Sequence, residues 1–178
     1  MSARAALRSG TAAAHERVDA LFSTLDLSTE ADYRLFLSAQ ATAFLPAEEA
    51  LDQAGVAALV PDWPERRRAH LLRADLAGLF APLPSPEPVP ALTGTPEVLG
   101  TLYVLEGSRL GGAMLRRSVA PDLPQSFLSA SKPRAGWRRL LETLDQSLNN
   151  AAAIDAAVAA ARRIFHCFEA GGRRVLER

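Results

Sequence analysis

Apolar residues in this chain return every third or fourth position wherever they are dense, and nowhere do they alternate with polar ones between hairpin turns. Leu7, Thr11, Ala14, Val18 and Phe22 keep this spacing from about residue 3 to 22, and Leu71, Leu72, Leu76, Leu79 and Phe80 share one side of "ERRRAHLLRADLAGLF". A period near 3.6 buries one stripe of a helix, whereas a half-buried strand needs a period of two. The rhythm therefore predicts an all-α fold. With 178 residues, 48% of them hydrophobic, the chain is long enough for one core and short for two, so residues 1–178 are expected to form a single domain.

Breaker residues divide the pattern. After the first helix, Ser28 or Thr29 caps a second that runs toward Pro46, beyond which "AEEALDQAG" is expected as a short separate helix ending at Gly55. Asp62 to Phe80 follows as one helix with Pro64 in its first turn. Residues 81–96, "APLPSPEPVPALTGTP", carry six prolines and can form no regular element, which makes them a stiff surface connection. Thr95 and Pro96 start a helix expected to reach about Arg117. An irregular stretch, "APDLPQSFLSASKP", separates it from helices over about 134–148 and 151–170.

Charge and composition exclude several functions. Twenty basic residues balance twenty acidic ones, leaving no global field to gather nucleic acid or anionic membrane. A single cysteine, Cys167, cannot form an intrachain disulfide, which points to a reducing compartment and a cytoplasmic location. The opening "MSARAALRSGTAAAH" has the composition of an organelle transit peptide and equally that of a plain first helix. "AAAIDAAVAAA" is broken by Asp155 and is too short to cross a bilayer. Phosphate loops, dinucleotide fingerprints, zinc-type cysteine spacings and paired Glu-x-x-His motifs are all missing, and "EGSRLGG" is not a nucleophile elbow. Most of the scattered arginine pairs read as solvated helix faces.

Two segments stand out. Of the histidines at 15, 70 and 166, His15 stands out: Asp19 at i+4 puts an acid on its own face able to accept its second ring proton, the support a metal-bound imidazole needs. Arg8, seven residues earlier, faces the same way about 10 Å along the axis. The second segment is "YVLEGSRLGGAML", residues 103–115, whose three glycines each cost a helix about 1 kcal/mol relative to alanine. Gly107 and Gly111 are four apart, as are Ser108 and Gly112, so the helix offers a strip almost without side chains. A flat ligand lying on backbone explains the strip; so does close helix–helix contact.

"LRSGTAAAHERVDALF", followed about ninety residues later by "YVLEGSRLGGAML", resembles the heme oxygenase family, in particular its bacterial branch associated with biliverdin supply to phytochromes. The likeness extends over nearly the whole chain, including "GWRRLLETLD" and "ARRIFHCFE". It implies heme held between the first helix and a kinked, glycine-rich distal helix, with His15 the axial ligand to iron. It matches Arg8 to the basic residue that pairs with a heme propionate, and Gly107, Gly111 and Gly112 to the distal glycines, with Ser108 among them. Thr11 beside His15, Tyr103 one turn before Gly107, and Arg162 and Phe165 on the last helix are carried over as further heme contacts. The implied reaction opens heme oxidatively to biliverdin with release of carbon monoxide and ferrous iron, heme being both substrate and cofactor. Electrons come from a separate reductase or ferredoxin, and a phytochrome is the implied recipient of the product.

One departure matters. The animal-type pattern has an aspartate directly after the first distal glycine; here that position is Ser108, a hydroxyl without a carboxylate's charge. Arg109 is expected to point outward and pair with Glu106. Two rivals stay open: a thiaminase-like enzyme using a cysteine nucleophile, against which the late position of Cys167 counts, and a heme-binding or heme-sensing protein without turnover.

Overall fold

Ser2 accepts the Ala5 amide in its hydroxyl and so starts α1 (Ala3–Phe22), the first of eight helices in a computed structural model that describes residues 2–130 and 136–177. The second helix, α2 (Glu30–Gln53), is capped by Thr29 through the Asp32 amide. A 3-10 turn at Val56–Ala58 leads to α3 (Trp63–Arg66) and α4 (Ala69–Gly78). Then come α5 (Thr95–Leu115), α6 (Ser126–Ser129), α7 (Gly136–Ser147) and α8 (Ala151–Leu176). No strand occurs among the described residues, and none of their helices is long and apolar enough to cross a membrane.

Four boundaries differ from the sequence pattern, each for a physical reason. Pro46 does not end α2. It has no N–H to give the Thr42 carbonyl one turn back, and that carbonyl accepts the Glu87 amide of the proline-rich connection at 2.7 Å instead. The expected 62–80 helix splits at Arg67, whose ψ of 136° is extended, because the buried carboxylate of Glu48 takes the Arg68 and Ala69 amides (2.8 and 3.0 Å) and caps α4 afresh. The stretch 120–133 is not wholly irregular: Asp75, itself buried, accepts the Ser126 and Phe127 amides and nucleates α6. The helix expected over 151–170 continues to Leu176. The start expected at 134 lies outside the described residues.

The core is organised around α8, which packs along α1, α2 and α5, while α1 and α5 make scarcely any contact with each other. Backbones come this close only where side chains vanish. A methyl on Gly100 of α5 would run into the Ala157 carbonyl of α8, and one on Gly171 of α8 would run into the Thr42 hydroxyl of α2. Leu7, Leu37, Leu51, Leu72, Leu99 and Leu102 fill the interior around these contacts.

Candidate functional site

Residues 100, 107, 111 and 114 share one face of α5, since each step of seven, four or three returns near the same angle at 100° per residue. At the start of this face Gly100 touches the backbone of α8; two turns on, a side chain added at Gly107 would meet nothing within 4 Å, and the same is true at Gly111. Met114 continues the stripe and is 72% exposed. The face thus begins as a helix contact and ends as an open wall. Gly112 differs: a methyl there would lie 3.2 Å from Leu128 of α6, so this glycine lets α6 approach and is buried away from the open wall.

Across the opening, α1 presents His15. Its ring is 60% exposed, its Nδ1 lies 2.9 Å from an Asp19 carboxylate oxygen, and its edge rests on the buried Phe165 ring of α8 at 5.6 Å. The Asp19 contact engages Nδ1 and leaves Nε2 outside the pair, the arrangement that a metal-binding imidazole needs. Arg8 is exposed on the same side of α1. Tyr103, half-buried with its ring against Trp137 of α7 at 5.7 Å, faces it from α5. Burial pushes the Tyr103 phenol up, and the charges of Arg8 and Arg4 pull it partly back.

Two expected contacts fall elsewhere. Arg162 donates to the Gly10 carbonyl at 2.6 Å, and Gly10, five residues before His15, lies about 140° round α1 from it. Arg162 therefore ties α1 to α8 on the far flank of the helix and is not brought to the His15 face. Thr11 is buried and its hydroxyl bonds back to the Leu7 carbonyl at 2.8 Å, which leaves it no hydroxyl proton for a ligand.

Ser108 has more support than its sequence context suggests. Its hydroxyl donates to the Leu105 carbonyl at 2.7 Å and accepts from the Arg68 guanidinium at 2.9 Å. Arg68, 2% exposed, lies over the rings of Phe44 and Phe127 (4.8 and 5.0 Å) and also donates to the Leu105 carbonyl. Its Nε finds no acceptor among the described residues. Burial, then repulsion from Arg109, lowers its proton affinity to about 9, partly offset by Glu106 and Glu48, and it stays a cation at neutral pH. Arg109 corrects the sequence expectation: it does pair with Glu106 (3.2 Å), but it is buried and also donates to the Arg66 carbonyl. Glu106 bridges it to Arg66, which is held in turn by Asp62 and the Gly136 carbonyl. A fully buried ionic layer therefore underlies the glycine strip. Sequence reasoning missed Arg66 and Arg68 because the run 66–68 reads as a solvated face; only the apolar neighbours at 71 and 72 hinted that the segment turns inward.

Cys167 is buried against the proline-rich connection, its sulfur 3.9 Å from the Pro88 carbonyl, and burial followed by the Glu87 charge raises its thiol above the ordinary range. A nucleophile needs the opposite shift. The two described surface cavities, of about 580 Å³ beside Arg116 and Arg117 and about 330 Å³ beside Cys167, include neither His15 nor Gly107.

No family model matches the chain. It is 37% identical over 127 residues to a heme oxygenase of Xanthomonas campestris, covering 68% of this chain and 76% of that protein. It is 30% identical over 141 residues to the heme oxygenase PigA of Pseudomonas aeruginosa, covering 74% and 71%. Its fold superposes on the NO- and CO-bound heme oxygenase of Neisseria meningitidis with a TM-score of 0.86, at 22% identity, over 99% of this chain and 93% of the other.

Proposed function

From the premise that this chain belongs to the heme oxygenase family and shares its reaction, the oxidative opening of heme to biliverdin, we propose that the opening between α1 and α5 is where heme binds. Heme supplies the oxygen-activating iron and is itself the molecule that is opened. The observation that carries this reading is the pairing of an imidazole whose Nδ1 is fixed by Asp19 with a facing helix wall on which Gly107 and Gly111 have nothing beside them. The residues fit a flat, metal-centred dianion. His15 would ligate the metal, Gly107 and Gly111 would let the macrocycle approach backbone, and Arg8 and Tyr103 would meet a propionate.

Proton delivery follows from what flanks that wall. The residue directly after the first glycine is not a carboxylate but Ser108, which holds its hydroxyl between a buried cation and a backbone carbonyl. Arg68 fixes the serine oxygen, and a fixed hydroxyl with a remaining lone pair can order water over the glycine strip. The field it transmits is positive, the reverse of a distal aspartate, and favours negative charge developing on the ligand side. Electrons would come from a separate reductase or ferredoxin, the whole chain would work as one domain in the cytoplasm, and a phytochrome is a fitting consumer of the product.

The deciding experiment adds hemin to the purified protein, follows the Soret band, and then supplies reductant and oxygen. Biliverdin absorbance is expected. A stable complex that keeps its Soret band under turnover conditions would favour the heme-sensing alternative, and absence of any complex would remove the reading.

A further inference from the structure

We propose that the cavity of about 330 Å³ between α8 and the proline-rich connection binds a small apolar molecule carrying one carboxylate, at a site separate from the opening between α1 and α5. Pro88 and Pro90 line one side of it, and Arg162, Arg163, His166 and Cys167 of α8 line the other. Its volume is at the lower end of the range of about 300–1,000 Å³ usual for small-molecule sites. The connection stands off the helix for a covalent reason. Prolines at 84, 86, 88 and 90 have no N–H, so this stretch keeps amide donors only at Ser85, Glu87 and Val89, and that of Glu87 goes to the Thr42 carbonyl of α2. Arg174 holds the same stretch through the Ser85 carbonyl and the Glu87 carboxylate. The proline wall is therefore in place before a ligand arrives, which spares binding the cost of ordering it.

Charge selects the ligand. No acidic residue lines the cavity. Glu87, next to Pro88 in the chain, is paired with Arg174 at 2.9 Å, and Glu97 is paired with Arg163 at 3.0 Å. Arg162 differs from Arg163. Only its Nε is used, in the 2.6 Å bond to the Gly10 carbonyl; among the described residues it enters no ion pair, and its two terminal amino groups meet no acceptor. His166, exposed and one turn on from Arg162 on the same face of α8, likewise has no hydrogen-bond partner among them. One unpaired guanidinium and one ring N–H thus rim a cavity whose walls are proline rings, arginine methylenes and a thiol. A carboxylate takes two parallel N–H bonds from the end of a guanidinium, and an apolar body attached to it fills the space between the walls. The site lies away from the metal-binding imidazole, since Gly10, to which Arg162 is tied, is about 140° round α1 from His15.

The test is equilibrium dialysis of 2-naphthoate, and of its uncharged counterpart 2-naphthamide, against the whole protein with and without added hemin. Wild type is expected to bind 2-naphthoate at a single class of site, equally well in both conditions, and 2-naphthamide at least about tenfold more weakly. Arg162→Gln should weaken 2-naphthoate about tenfold, and His166→Ala, which leaves the bond to the Gly10 carbonyl intact, about threefold. Arg117→Gln removes another exposed arginine and should change nothing. Equal affinity for acid and amide overturns the proposal, as does wild-type affinity in both Arg162→Gln and His166→Ala. An equal loss in Arg117→Gln shows attraction to surface arginines only and overturns it too. Binding that hemin abolishes belongs to the opening between α1 and α5; it overturns the proposal and leaves the heme reading standing. Absence of saturable 2-naphthoate binding below about 5 mM removes the site altogether.

Discussion

Replacing Gly107 and Gly111 by alanine should stabilise the protein without heme and damage it with heme. Each glycine sits inside α5, where alanine is favoured by about 1 kcal/mol, and at neither position would the new methyl meet an atom within 4 Å. The full propensity gain is therefore realised. In a domain of this size 1 kcal/mol moves the melting temperature by about 2–4 °C, so the double variant should melt about 4–8 °C above wild type. Gly100→Ala is the control. It has the same helix and the same propensity, but its methyl strikes the Ala157 backbone, which cannot swing away as a side chain can, and a loss of about 3 kcal/mol is expected. Thermal unfolding followed by circular dichroism reads the single variants, the double variant and the control. Hemin titration then reads the other half: Gly107→Ala and Gly111→Ala place a methyl where the macrocycle must lie, and affinity or turnover should fall at least about tenfold. If Gly107→Ala destabilises as Gly100→Ala does, the glycine strip is a helix contact and the argument for a cleft fails.

His15→Ala should remove the native axial ligation while leaving the melting temperature nearly unchanged, because the ring is 60% exposed; an unaltered hemin spectrum in this variant would refute the assignment. Ser108→Ala should lower biliverdin formation by less than about tenfold, the scale of one net hydrogen bond, measured under single-turnover conditions with saturating reductant. Stability should also fall in acid for an identifiable reason. The hydrogen bond from Arg17, then that from Arg173, holds the Glu169 carboxyl below its ordinary value of 4.5. A depressed acid contributes stability that is complete above about pH 4.5 and is lost as pH falls below it. Glu169→Gln should accordingly flatten the decline of melting temperature below pH 4.5, and an unchanged decline would show that the Glu169 ion pairs, to Arg17 of α1 and Arg173 of α8, carry none of it.

The parts of this molecule that were legible in its sequence are those written in local spacing. Helical periodicity gave the all-α fold, and the four-residue steps of His15–Asp19 and Gly107–Gly111 put each pair on one face of its helix, because a helix converts spacing directly into a shared face. What stayed hidden was decided by partners far along the chain. Arg68 looks solvated beside Arg66 and Arg67 until Glu48 and Ser108, twenty and forty residues away, supply its backbone and side-chain partners. Pro46 looks like a helix end until Glu87 satisfies the carbonyl it orphans. Gly171 and Gly172 look like a helix stop, yet they keep α8 helical and close to α2 and α1, since Thr42 and Leu21 occupy the space a side chain would need. Arg162 and Phe165 both meet α1, but on different flanks of it, since Gly10 and His15 lie about 140° apart around that helix, a separation set by the packing of α8 on α1 rather than by spacing within α8.

A cleft in an all-helical protein needs a reason to stay open, because two apolar helix faces left side by side would close on each other. Here the reason is α8. Ala157 meets Gly100 of α5, Val158 meets Gly10 of α1, and Phe165, two turns further on, supports His15. One helix therefore fixes the positions of both walls, α1 through contacts along its middle and α5 through a contact near its start, and α5 runs on past Gly100 to Gly107 and Gly111, where an added side chain would meet nothing within 4 Å. From below, the wall is stiffened by buried Arg66, Arg68, Glu106 and Arg109, charges that cannot move outward without losing their partners. Glycine weakens the strip at Gly107 and Gly111, and the ionic layer beneath holds the same turns in place. The helix can thus expose bare backbone to a ligand without collapsing onto α1, which is the physical condition that the proposed chemistry requires.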